Sequence, residues 1–91
     1  MAIPASLQAG LKLPVIAAPM FLVSGPDLVV ECCNAGVIGT FPSLNQRTTE
    51  GYREWLHDIK ARRNADAAAV GVNHIVHPTN PRLMADLQVS V

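Results

Sequence analysis

The sequence predicts an α/β fold in which three short strands, each followed by a helix, pair side by side in a parallel sheet. Short apolar runs alternate three times with amphipathic segments that begin at helix-capping residues. The chain is also apolar for its length, with 49% hydrophobic and 15% charged residues among 91. Such a composition is typical of strands covered on both faces, and it indicates that part of the covering structure lies elsewhere.

The first unit is a strand over 15–18 followed by a helix over 26–34. Ser24 or Gly25 can cap the helix, and a proline and an aspartate then suit its first turn. Gly36 is available for the left-handed position that ends many helices. The predicted apolar side of this helix consists of Leu28, Val29, Cys32 and Cys33.

The second and third units repeat this arrangement. Strands are predicted over 37–41 and 68–73, and helices over 48–63 and 81–91. The second helix carries an apolar stripe at i, i+3, i+4 and i+7, formed by Tyr52, Trp55, Leu56 and Ile59. Asn80 can cap the third helix, whose predicted buried side is Leu83, Met84, Leu87 and Val91. No linker divides the units, so residues 1–91 form one structural piece.

Composition excludes several functions and compartments. Seven basic residues balance seven acidic ones, whereas a nucleic-acid binder is expected to have a basic excess. The adjacent Cys32 and Cys33 predict two reduced thiols and a reducing compartment, the cytoplasm. Prolines interrupt the apolar run over 13–23, and no run reaches the length of a membrane helix. The histidines lack enough partner ligands for a metal site.

In parallel sheets, ligands bind beside the carboxyl ends of the strands. Three segments reach that edge here, at 18–20, 41–43 and 73–74. Asn73 offers both a donor and an acceptor, which suits the polar edge of a heteroaromatic ring. From its residue type alone, Asn73 is more readily interpreted as a structural turn residue.

Three segments in order resemble one enzyme family. Leu-Pro-Val-Ile-Ala-Ala-Pro-Met at 13–20 precedes Ser-Gly-Pro-Asp-Leu at 24–28. The second segment, at 34–42, reads Asn-Ala-Gly-Val-Ile-Gly-Thr-Phe-Pro. The third is Gly-Val-Asn-His-Ile-Val-His at 71–77, with Asn-Pro-Arg-Leu at 80–83. Together they resemble the N-terminal portion of the nitronate monooxygenases, formerly 2-nitropropane dioxygenases, over nearly the whole chain.

The resemblance implies an FMN-dependent TIM (β/α)8 barrel that oxidises alkyl nitronates with molecular oxygen. Residues 1–91 would form its first three βα units and would be incomplete as a barrel. In the family, the turn corresponding to Ala18, Pro19 and Met20 lies against the flavin, and the asparagine corresponding to Asn73 hydrogen-bonds it. Ser43 is a further candidate contact. The resemblance places the catalytic base beyond residue 91, so we expect the chain alone to be inactive.

Two alternatives stay open at this point. An FMN-dependent enoyl reductase of the same fold shares the opening strand and turn. A stand-alone, non-enzymatic module could instead self-associate through the open edges of its sheet, which unpaired strands favour. On every reading, we expect either the remainder of a barrel or further copies of the chain to cover those edges.

Overall fold

The computed structural model describes residues 4–91, and its centre is a parallel three-stranded sheet with strand order β1-β2-β3. The elements in chain order are α1 Ala5–Gln8, β1 Ile16–Ala17, α2 Pro26–Asn34, β2 Ile38–Pro42, a 3-10 helix Ser43–Asn45, α3 Thr49–Arg62, β3 Val70–Asn73 and α4 Leu83–Ser90. The α/β class, the parallel sheet and all six predicted strands and helices are therefore confirmed. The short α1 was not predicted.

β2 is the central strand and fixes which residues face the helices. The register pairs are Ile16 with Ile38, Ala17 with Gly39, Gly39 with Val70 and Pro42 with Asn73. A side chain at Gly39 would stand 2.7 Å from the carbonyl oxygen of Val29, so glycine allows α2 to pack directly on β2. Phe41 faces the same way, since strand residues alternate. Thr40, on the other face, donates its hydroxyl to the carbonyl of Ala17.

The core lies between the sheet and the helices α2 and α3. Its fully buried members are Val29, Val30, Cys33, Phe41, Tyr52 and Ile59. The ring of Phe41 lies 5.9 Å from that of Tyr52 and 5.8 Å from that of Trp55, centroid to centroid. Leu56 also packs against this core. The apolar stripe predicted for α3 is thus confirmed.

The predicted apolar side of α2 was partly wrong. The helix buries Val29, Val30 and Cys33, whereas Leu28 is exposed and Cys32 half-buried. Positions i, i+3 and i+4 share one helix face, so the buried stripe is rotated toward Val30 from the one predicted. Both cysteines are free thiols, as predicted.

The predicted buried side of α4 was wrong. Met84 and Leu87 are exposed, and the carboxylate of Asp86 is fully buried instead. α4 rests on α3, and an ion pair between Asp86 and Arg82 turns its polar side inward. Asn80 acts in the preceding turn, where its Oδ1 accepts from the backbone amide of Arg82.

The helix ends follow the capping rules at three of the predicted positions. The Thr48 hydroxyl accepts from the amide of Gly51 at 2.9 Å, as expected for an N-cap. Gly25 is the N-cap of α2 and offers no side chain, so Ser24 is free to bond elsewhere. Gly36 ends α2 with φ at 92°, the left-handed geometry predicted for it.

Candidate functional site

The carboxyl edge of the sheet gathers the residues that the sequence singled out. Because the three strands are parallel, the segments after Ala17, Pro42 and Asn73 all leave from this edge. Pro42 pairs with Asn73. Ala17 pairs with Gly39, and Met20 and Pro42 each follow these paired residues by three positions. Two strand spacings set β1 and β3 about 10 Å apart.

Four of the five predicted contact residues are solvent-exposed. These are Ala18, Pro19, Met20 and Asn73. Ser43 differs, because its side chain is fully buried and its Oγ has no hydrogen-bond partner among residues 4–91. The edge therefore presents an apolar turn on one side and a free amide on the other. A ligand could reach the Ser43 hydroxyl only if neighbouring side chains moved.

Asn45, which is not among the predicted contact residues, joins the first two loops of the edge. Its Nδ2 donates to the carbonyl of Met20 at 3.0 Å and to that of Ser24 at 2.8 Å. Its Oδ1 accepts from the amide of Leu22 at 2.9 Å. The available signal was an asparagine in a turn directly after a strand, a position where side-chain bonds to backbone are common.

The loop over 20–24 is held in a tight turn. The amide of Met20 donates to the Ser24 hydroxyl at 2.8 Å, and the amide of Ser24 donates back to the Met20 carbonyl at 2.9 Å. Leu22 has φ at 64°, a left-handed backbone that is uncommon for leucine. Its side chain is 79% exposed, and those of Phe21 and Val23 are also exposed.

A buried polar network supports the second loop from below. Arg82 donates to the carbonyl of Gln46 at 2.6 Å and approaches that of Ser43 at 3.5 Å. Its Nη2 lies 3.1 Å from Oδ2 of Asp86, and the other carboxylate oxygen accepts from Thr49 at 2.8 Å. The network links the end of β2 with α3 and α4 through side chains that solvent barely reaches.

His74 follows Asn73 and points into the structure. Its Nε2 lies 3.0 Å from the Ser90 hydroxyl, which also bonds the Tyr52 hydroxyl. Its ring meets Tyr52 edge-on at 5.9 Å. Burial raises the pKa of Tyr52 and is the largest cause of its shift. The hydrogen bond to Ser90 lowers this pKa, and the negative charge of Asp86 raises it. These contacts make His74 a support for the edge.

Metal and membrane readings find no support in the part of the chain that the structure describes. Over residues 4–91, no three histidine, cysteine or acidic side chains gather where they could hold a metal ion. Over the same range, every helix is too short or too polar to cross a membrane.

Comparisons with known proteins identify no family for this chain. No protein family, curated protein or solved structure matches the chain. The family resemblance therefore depends on the three sequence segments alone.

Proposed function

We propose that this chain forms the first three βα units of an FMN-dependent (β/α)8 barrel that oxidises alkyl nitronates with oxygen in the cytoplasm. The observation that carries the proposal is the exposure of Met20 and Asn73 at one edge of a parallel sheet. Ligand sites in parallel α/β folds lie at that edge. The sequence segments that resemble the nitronate monooxygenases supply the choice of cofactor and substrate.

The residues at the edge fit one side of a flavin ring. A flavin is a flat, largely apolar tricyclic system with a polar edge, and about 10 Å separates the two outer strands. The turn formed by Ala18, Pro19 and Met20 would lie along the ring, and the Asn73 amide would donate to and accept from its polar edge. When bound, the flavin supplies the two-electron redox chemistry.

This chain contributes orientation and not proton transfer. Barrels of this kind commonly bind the cofactor phosphate with the loops after strands seven and eight, and the chain supplies three strands. His74 is committed to Ser90 and Tyr52, so it is poorly placed to act as a base on substrate. We therefore expect the isolated chain to bind flavin weakly and to show no turnover.

The exposed apolar surface favours a second candidate, a non-enzymatic module that self-associates. Val15, Ile16 and the tip over 21–23 are exposed beside the β1 edge. Edge strands with apolar neighbours invite pairing with another chain. This candidate predicts an oligomer without flavin binding, whereas the proposed enzyme fragment predicts a flavin response confined to the carboxyl edge.

A flavin titration followed by amide NMR separates these candidates. Riboflavin and FMN, at equal concentrations up to the solubility of riboflavin, should shift the amides of Ala18, Met20 and Asn73 to the same extent, because barrels of this kind commonly bind the phosphate with the loops after strands seven and eight. Asn73→Ala removes one or two hydrogen bonds and should weaken the response about threefold to tenfold. Asn64→Ala, an exposed asparagine between α3 and β3, is the matched control.

Two outcomes would refute the flavin proposal. One is the absence of any shift at the carboxyl edge with either flavin. The other is a response to FMN without a response to riboflavin, which would indicate phosphate binding to basic side chains. An unchanged response in Asn73→Ala would return that residue to the role of a structural turn residue.

A further inference from the structure

Asn45 uses every hydrogen-bonding group of its side-chain amide on a loop more than 20 residues earlier in the chain. It accepts from the Leu22 amide and donates to the carbonyls of Met20 and Ser24, over 2.8 to 3.0 Å. An amide has two donor hydrogens and one carbonyl, and all are engaged here. Asn45 thus fastens the loop after β1 to the 3-10 helix after β2.

The fastened loop has a conformation that it would not readily keep alone. Leu22 is held with φ at 64°, and a left-handed backbone costs free energy for a residue with a Cβ. Its side chain is 79% exposed and supplies little packing to offset that cost. The turn bonds within 20–24 and the three bonds from Asn45 stabilise this conformation.

The fastening residue is itself anchored. Arg82 donates to the carbonyl of Gln46, directly after the 3-10 helix, and its Nη2 approaches that of Ser43 at the start of the helix. Arg82 in turn pairs with the fully buried Asp86 of α4. A continuous polar chain therefore runs from α4 through the 3-10 helix to the backbone of Met20.

We infer that Asn45 is a positioning residue for the Met20 side of the proposed flavin site. It touches no ligand itself; it holds the backbone of residues 20–24 in the shape that sets Met20 at the edge before any ligand arrives. The inference rests on the proposed function, because only a ligand at this edge makes the loop's shape matter. Asn73, on β3, lies outside the fastened loop and serves as an internal reference.

The first measurement tests the fastening in the chain without ligand. Asn45→Ala removes all three bonds, and amide hydrogen exchange at Leu22 and Ser24 should accelerate by about tenfold or more. Asn45→Asp keeps an acceptor for Leu22 but loses both donors, so exchange should rise at Ser24 more than at Leu22. Asn64→Asp is the matched control and should leave both amides unchanged. Protection of core amides such as Phe41 verifies that each variant is folded.

The second measurement asks whether the fastening serves a ligand. With FMN at millimolar concentration, Asn45→Ala should lower the flavin affinity about threefold to tenfold and diminish the shift at Met20, while Asn73 still responds. In Asn45→Asp the Met20 response should recover as pH falls through about 4, because a protonated carboxyl regains one donor.

Each outcome has a defined meaning. Unchanged exchange at Leu22 and Ser24 in Asn45→Ala would overturn the inference, because the loop would then hold its shape without the residue. Faster exchange with an unaltered flavin response would also overturn it and leave Asn45 as a purely structural residue. A wild-type chain that responds to no flavin would sink the proposed function and the positioning role with it, and the exchange data would still show whether the loop is fastened.

Discussion

The two sides of the sheet differ in how completely they are covered. On the helix side, Phe41, Tyr52 and Ile59 are sealed from solvent between β2, α2 and α3. On the other side, Ile38 of the central strand β2 is buried, whereas its register partner Ile16 on the edge strand β1 is 60% exposed. The same residue type in paired positions thus has opposite surroundings. The apolar content of this chain therefore exceeds what its own core buries.

The exposed apolar residues are concentrated and not scattered. Among residues 4–91, half of the exposed large apolar side chains lie in one stretch that leads into β1 and the loop beyond it, namely Leu13, Val15, Ile16, Met20, Phe21, Leu22 and Val23. Single exposed apolar side chains are ordinary on protein surfaces, but contiguous ones mark places that another structure covers. We interpret this stretch as the side on which the remainder of a barrel, or a second copy, would pack.

The largest effect on stability should come from the buried ion pair between Arg82 and Asp86. Asp86→Ala leaves the Arg82 guanidinium without its counter-charge and should lower the free energy of unfolding by about 3–5 kcal/mol. Asp58→Ala removes an exposed partner of Arg62 and should cost about 0–1 kcal/mol. Urea denaturation measures both. Similar losses in the two variants would mean that the network around Asp86 is not closed to water.

A matched pair of isoleucines tests the comparison between the sides directly. Ile59→Ala creates a cavity at a side chain that is 2% exposed and should cost about 2–5 kcal/mol. Ile16→Ala, on the open side, should change stability by about 0.5 kcal/mol or less. The same denaturation experiment applies. A large loss at Ile16 would show that something already covers β1 in solution.

Alkaline pH should lower the free energy of unfolding, because Tyr52 is buried in the core and loses its proton there only with difficulty. Burial raises the pKa of Tyr52 above its ordinary value of 10.0, so the folded state holds the proton more tightly than the unfolded state. This contribution is present below pH 10 and is lost as pH rises through the higher folded pKa. The fall in unfolding free energy above pH 10 should be shallower in Tyr52→Phe. Identical pH profiles would show that the hydroxyl is solvated.

The smallest effect is a difference in reactivity between neighbouring thiols. Desolvation raises the pKa of Cys33, which is fully buried, whereas Cys32 is only half-buried. Because the thiolate is the reactive form, Cys32 should react with a disulfide reagent about tenfold faster or more in the folded protein at pH 8. In urea the two rates should converge. Equal rates in the native protein would indicate that α2 opens readily from the sheet.

The fold was predictable from the sequence where local signals agreed with the final packing. Thr48 caps the start of α3 and Gly36 follows the end of α2, as their residue types predict. The stripe from Tyr52 to Ile59 has the helical period and faces the core. Apolar runs too short for helices and flanked by prolines and glycines marked the strands. None of these inferences required knowledge of distant neighbours.

The errors arose where burial depends on what packs nearby. The apolar positions of α4 looked like a core face, but α4 meets α3 through Asp86, which accepts from Thr49 and pairs with Arg82. Periodicity carries no information about such a buried polar contact. The candidate site was found only in part for the same reason. Motif and strand position indicated Met20 and Asn73, whereas the role of Asn45 appears only when β1 and β2 are set side by side.

The mass of the folded chain in solution shows most directly whether another chain covers the exposed apolar surface around β1. We predict that sedimentation equilibrium, over a wide concentration range, finds either a defined oligomer or a monomer of low stability toward urea. Ile16→Lys, at the open side, should dissociate the oligomer without disturbing the helix-side core. The contradicting result is a 91-residue chain that stays monomeric at all concentrations and has a stability typical of its size, with both strand edges solvated. Such a chain would need no partner on its exposed apolar surface.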